Sequence, residues 1–92
     1  PMAGGVDYQV HLQNYGWMST VSDGRSAGTI GEGLRLEAIK INLTGEMMSH
    51  YDIYYRVHAQ NFGWLDWAKN GEPSGTAGYT YRLEALVVLL VK

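Results

Sequence analysis

Three tryptophans, two histidines and their accompanying glutamates are the side chains whose type and spacing could do chemistry in this sequence. Trp17, Trp64 and Trp67 each carry an indole on which the C–H face of a sugar ring stacks, while nearby amides and carboxylates read hydroxyls. Gln13, Asn14, Gln60, Asn61, Asp66 and Asn70 lie close to them along the chain. Together they form a candidate ligand-binding set. A plainer role for Trp17 and Trp64 is to anchor a small core that needs one large apolar residue. Trp67 has no counterpart in the other half of the chain, so symmetric packing does not require it.

His11 and His58 fall on the polar parity of one strand, and Glu37 and Glu84 on another. A histidine with a carboxylate could hold a metal or act as an acid–base pair. Two ligands without a third nearby favour the simpler reading, a cross-strand hydrogen bond on a half-wet face. Arg35 with Glu37, and Arg82 with Glu84, suggest an internal salt bridge or a clamp on loop carbonyls. The glycine-rich stretches match no phosphate-binding pattern and are followed by no helix, so they read as tight turns. No Ser-His-Asp order, paired-carboxylate motif or metal signature stands out. The chain is expected to be no enzyme, with no catalytic residues, metal or cofactor.

The elements that position these residues come in duplicate. Shifting the chain by 47 residues aligns 8–43 with 55–90 without a gap, giving sixteen identities in 36 positions. They include Tyr8/Tyr55, His11/His58, Trp17/Trp64, Gly28/Gly75, Arg35/Arg82 and Glu37/Glu84. Such a period signals a repeat architecture. Each copy opens with a strand of strict alternation: Val6, Tyr8, Val10 and Leu12 in one, Ile53, Tyr55, Val57 and Ala59 in the other. Asn14-Tyr15-Gly16 and Asn61-Phe62-Gly63 then turn the chain. Asp23-Gly24 and Asn70-Gly71 are preferred dipeptides of tight turns. Glycine-rich loops follow at 27–31 and 74–78, and a last strand runs from Leu34 to Leu43 or from Tyr81 to Val91.

The apolar parity shifts within the last strand, which predicts a β-bulge near Ala38-Ile39. A helix is the rival there, but the β-branched residues that follow and the lack of caps favour a strand. Leu86 to Val91 is too short to span a bilayer and reads as a buried strand.

The composition fits this picture. At 92 residues the chain buries only about 60–65% of its unfolded surface, which makes a small domain marginal. It has no cysteine to staple it, so packing between the repeats, or homo-oligomerisation, should supply the missing stability. The net charge of -2 with interspersed signs offers no nucleic-acid footprint. The twelve glycines, seven tyrosines and three tryptophans against one phenylalanine favour a half-wet surface over a dry core. Pro1-Met2-Ala3-Gly4-Gly5 is a glycine-rich lead-in without a secretion signal, so for a secreted protein the expectation is a signal that was removed or lies upstream.

The repeated positions resemble the clostridial hydrophobic repeat with a conserved tryptophan. The pattern stands here as Val6-Asp7-Tyr8-Gln9-Val10-His11-Leu12-Gln13-Asn14-Tyr15-Gly16-Trp17, then Asp23-Gly24, Ala27-Gly28-Thr29-Ile30-Gly31 and Leu34-Arg35-Leu36-Glu37-Ala38-Ile39. The second copy keeps nearly all of it, including the pattern's second tryptophan at Trp67. Thr20 replaces that tryptophan in the first copy, and Ser74 replaces the alanine of Ala-Gly-Thr in the second. The resemblance implies a secreted or surface protein of a Gram-positive anaerobe, in which such repeats accompany hydrolases, autolysins or adhesins. It also implies that a partner chain would complete a closed unit, since members often carry three copies.

The expectation is an all-β antiparallel domain over residues 1–92, with repeats at 6–43 and 53–91 and a linker at 44–52. A β-prism- or trefoil-like closed unit is one form, and a two-layer sandwich the alternative. The expected function is an extracellular, cell-wall-associated module that binds a cell-wall glycan or polysaccharide and tethers an attached hydrolase or surface protein. Nucleic acid and membrane insertion are not expected. The alternative function is a structural repeat for protein interaction or oligomerisation.

Overall fold

In the computed structural model, which describes residues 3–77 and 81–92, alternation becomes strand wherever it was read. Gly78, the end of the second glycine-rich loop, lies outside the described residues. The first repeat holds β1 (Gly4–Leu12), β2 (Gly16–Trp17), β3 (Val21–Ser22) and β4 (Leu36–Gly45). A single-turn helix, α1 (Glu46–His50), joins it to β5 (Asp52–Ala59), β6 (Gly63–Trp64), β7 (Ala68–Lys69), β8 (Ser74–Gly75) and β9 (Leu83–Val91). The stretch expected as a plain linker thus contains α1, preceded by Gly45 at φ 62. The helix packs Met47 against the core.

All pairings are antiparallel. β1 pairs along its length with β4, and β5 with β9, so each repeat joins its first and last strands. The short β2 and β3 also lie on β1, as β6 and β7 do on β5. The register shifts between His11 and Leu12 because Ala38 pairs with His11 and Leu36 with Leu12. Glu37 is therefore the bulged residue, one position before the expected site. Glu84 repeats the bulge between Ala85 and Leu83. The extra residue reverses the strand's parity, so Leu36 and the Ile39–Ile41–Leu43 series are reconciled along one strand.

Asp23-Gly24 has φ of 49 and 90, and Asn70-Gly71 has 47 and 89. Two successive positive φ values make the primed turn that the dipeptides favour, closed by Arg25 N–H donating to Ser22 O and Glu72 N–H to Lys69 O. The turn hands the chain to another sheet. Gly71 N–H donates to Ile41 O, β8 pairs with β4 through Ala38↔Gly75 and Ile39↔Ser74, and Thr76 N–H donates to Glu37 O. Residues 71–76 of repeat two are thus an arm laid on repeat one.

The inner faces of the two sheets meet in a core of Ile41, Leu43, Ile53, Tyr55 and Ala68, flanked by Val6, Tyr8, Ile39, Met47 and Tyr51. Continuous with it, an apolar groove of about 460 Å³ runs between Val10 and Ile39 of one sheet and Leu86 and Val88 of the other, and Ala27 also lines it. The reading of Leu86–Val91 as buried is corrected here. β9 is a strand, but these six side chains are 37–51% exposed. The physical reason is that β9 is an edge strand paired only with β5 among the described residues, and that the groove leaves Leu86 and Val88 open.

Candidate functional site

The outer face of repeat two carries the most exposed indoles. On β5, Ile53, Tyr55, Val57 and Ala59 are buried, leaving Tyr54, Arg56 and His58 on the opposite side. Trp64 sits on β6 directly across from His58, and their rings meet edge to face with centroids 5.3 Å apart. Trp67 follows in the connection to β7. The Arg56 guanidinium lies 5.3 Å from the ring centroids of both Trp64 and Trp67. Its Nε is shielded from water and has no hydrogen-bond partner among the described residues. Cation–π attraction to two indoles therefore orients this side chain. Trp64 is 44% exposed and Trp67 42%. Neither is a core anchor, and the apolar centre of the repeat is instead Tyr55, which is fully buried with Val57 and Ala59.

Beside the indoles, His58 Nδ1 lies 3.1 Å from Glu84 Oε1, and Arg82 donates to Glu84 Oε2 at 3.2 Å. Repeat one has the same arrangement more deeply set. His11 Nδ1 is 3.0 Å from Glu37 Oε1, Arg35 Nε donates to Glu37 Oε2 at 2.9 Å, and the Glu37 side chain is only 5% exposed. These are internal charge-assisted contacts, the cross-strand hydrogen bond and salt bridge of the plainer readings. Among the described residues no group of three or more His, Cys, Asp or Glu could hold a metal ion.

Trp17 is half-buried, with His11 edge-on at 5.3 Å and Lys40 Nζ 4.2 Å over the ring. Thr20 stands where repeat two has Trp67. A polar cleft of about 240 Å³ opens at Thr20, lined in part by Asp7, Gln9, Lys40 and Asn42. The two repeats thus present different surfaces: an aromatic ledge on one and a polar cleft on the other.

The remaining candidate residues divide between surface and scaffold. Asp66 is exposed in the segment between Trp64 and Trp67. Asn14 and Asn61 are exposed at φ 71 and 73, so their identity serves the left-handed turn. Gln13 Oε1 accepts from Arg35 N–H, and the half-buried Gln60 donates its backbone N–H to Arg82 O. Asn70 accepts from Ile53 N–H and donates to Asp52, which holds the turn of the arm against β5. The amides of Gln13 and Asn70 are therefore committed to the fold. Sequence reading passed over Arg56, the residue that ties the two indoles together. Its parity with Tyr54 and His58 was the available signal, since period-two spacing places all three on one face.

The family model described as "Clostridial hydrophobic W" matches residues 11–45 and 58–92, two segments offset by the same 47 residues as the internal repeat. No curated protein and no solved structure matches the chain.

Proposed function

The chain belongs to the Clostridial hydrophobic W family, with two tandem copies of its repeat, and from that premise we propose that it is a carbohydrate-binding module recognising a cell-wall glycan or polysaccharide. The family repeat is a repeat module and not a catalytic domain. The observation that carries the proposal is the exposed ledge of Trp64 and Trp67 bracketing Arg56. Two indoles offer stacking faces for sugar rings, and the ring edges of the sugar would meet the donors and acceptors of Arg56, His58 and Asp66. The polar cleft of repeat one supports a second, chemically different contact on the same polymer. Two weak contacts on one chain gain avidity through effective concentration. In this reading the module acts outside the cell and holds an attached hydrolase or surface protein at the wall.

The test is co-sedimentation of the purified chain with isolated Gram-positive cell walls, before and after removal of their secondary polymers. Sedimentation with intact walls is expected, and its loss on stripping assigns the ligand to those polymers rather than to peptidoglycan. A chain that stays in the supernatant with walls and with common soluble polysaccharides contradicts the proposal.

A further inference from the structure

Within the molecule one repeat already docks on the other, and the same docking is left open at both ends. The arm of repeat two lies along β4: Gly71 N–H reaches Ile41 O, Gly75 lies opposite Ala38, and Thr76 N–H reaches Glu37 O. Adding 47 residues carries this acceptor edge onto β9, where Val88, Ala85 and Glu84 take the places of Ile41, Ala38 and Glu37. Subtracting 47 carries the arm onto Gly24, Gly28 and Thr29 of repeat one. Residues 24–29 pair with no strand among the described residues.

The consequences for burial are direct. Ala38, against which Gly75 of the arm lies, is 1% exposed, whereas its counterpart Ala85 is on the surface. The Glu37 side chain is 5% exposed and that of Glu84 35%. An uncovered apolar edge strand is a template for strand addition, and sequences that keep such an edge generally cover it.

The glycines carry the same message. A Cβ on Gly75 would run into the carbonyl of Glu37 and come within 2.6 Å of Ala38 Cα, so this residue must be glycine for the arm to lie on β4. Gly28 keeps the positive φ, at 102, yet among the described residues a Cβ there would meet only Leu36 Cδ2 at 3.4 Å and Val10 Cγ2 at 3.9 Å. Among the described residues of its own chain, none makes the close approach that its counterpart makes.

We propose that β9 accepts the repeat-one arm of a second copy of this chain, head to tail, with Gly28 of one copy laid against Ala85 of the next. The contact continues the docking already present between the two repeats, with Gly24 N–H directed at Val88 O and Thr29 N–H at Glu84 O across the junction. It joins unlike surfaces, so it builds rings where the rotation closes and short filaments where it does not.

Two variants and their mixture test it. Gly28→Ala removes the arm's approach while leaving β9 intact. Leu86→Pro removes the outward-facing N–H at the place of Ile39, which pairs with Ser74 in the docking within the chain, and leaves the arm intact. Because Ile41 O faces the arm and Ile39 shares its parity, the N–H of Ile39, and of Leu86 in its place, points away from the first strand of its repeat, so pairing with β5 is retained. In sedimentation velocity the unaltered chain should rise above its monomer mass of 10.2 kDa with increasing concentration. Each variant alone should stay monomeric with an unchanged β-sheet circular dichroism spectrum. An equimolar mixture should form a one-to-one dimer, because one good arm then meets one good edge. A misfolded variant would not complement. The proposal is overturned if the unaltered chain remains monomeric up to its solubility limit, if the variants associate as it does, or if the two folded variants fail to combine.

Discussion

At the residue scale, duplicate side chains have unequal weight because their surroundings differ. Glu37 and Glu84 each hold a histidine and an arginine, but only Glu37 is shielded from water. Removing one partner of a buried ion pair leaves the others uncompensated, whereas exposed pairs contribute little. Glu37→Ala is therefore expected to cost about 3 kcal/mol in urea unfolding, and Glu84→Ala less than about 1 kcal/mol in the monomer. Tyr55 supplies a pH signature. Burial pushes its phenol pKa up from the usual value, and the hydroxyl donates to Glu72 O. The folded state thus holds the proton in a range where the unfolded chain has released it. The stabilisation is complete below the ordinary tyrosine pKa of about 10 and is lost as pH climbs through the higher folded value. Urea midpoints should fall above about pH 10, and Tyr55→Phe should flatten that fall while lowering the midpoint at neutral pH through the lost hydrogen bond.

At the scale of elements, the alternation in β1 and β5 was enough to orient the core residues of those two strands, because a period of two admits one buried face. The bulge was legible as a parity shift, and only its position moved, from Ala38-Ile39 to Glu37. Two features were not legible. The helix α1 has a single turn, and five residues carry too little periodicity to announce it. The arm was hidden for a different reason. The turn at Asn70-Gly71 looks like that of an ordinary hairpin, and the β4 residues it and the arm bond to are thirty or more residues away. A short-range signal cannot name a long-range partner. Gly75→Ala tests the arm as an element. With no room for a Cβ at Glu37 and Ala38, β8 should leave β4, with a loss of more than about 1 kcal/mol and faster amide exchange at Thr76. Gly24→Ala, with no atom of the described residues within 4 Å of the added Cβ, serves as the control for backbone strain alone.

At the scale of the whole molecule, the repeat is nearly symmetric in backbone and deliberately unequal in surface. One copy shows an aromatic ledge, and the other a polar cleft beside Thr20. The candidate site was partly visible in the tryptophans themselves. Whether an indole belongs to core or surface depends on what fills the core, and Tyr55 fills it here. The most direct test of the glycan-binding account is a titration of the chain with solubilised cell-wall polysaccharide, following tryptophan fluorescence, for the unaltered protein and for Trp67→Ala. The account predicts saturable binding that weakens at least about tenfold in the variant, about 1.4 kcal/mol, with the melting temperature unchanged. Equal affinity in the two proteins, or a variant that loses its fold along with its binding, would contradict it.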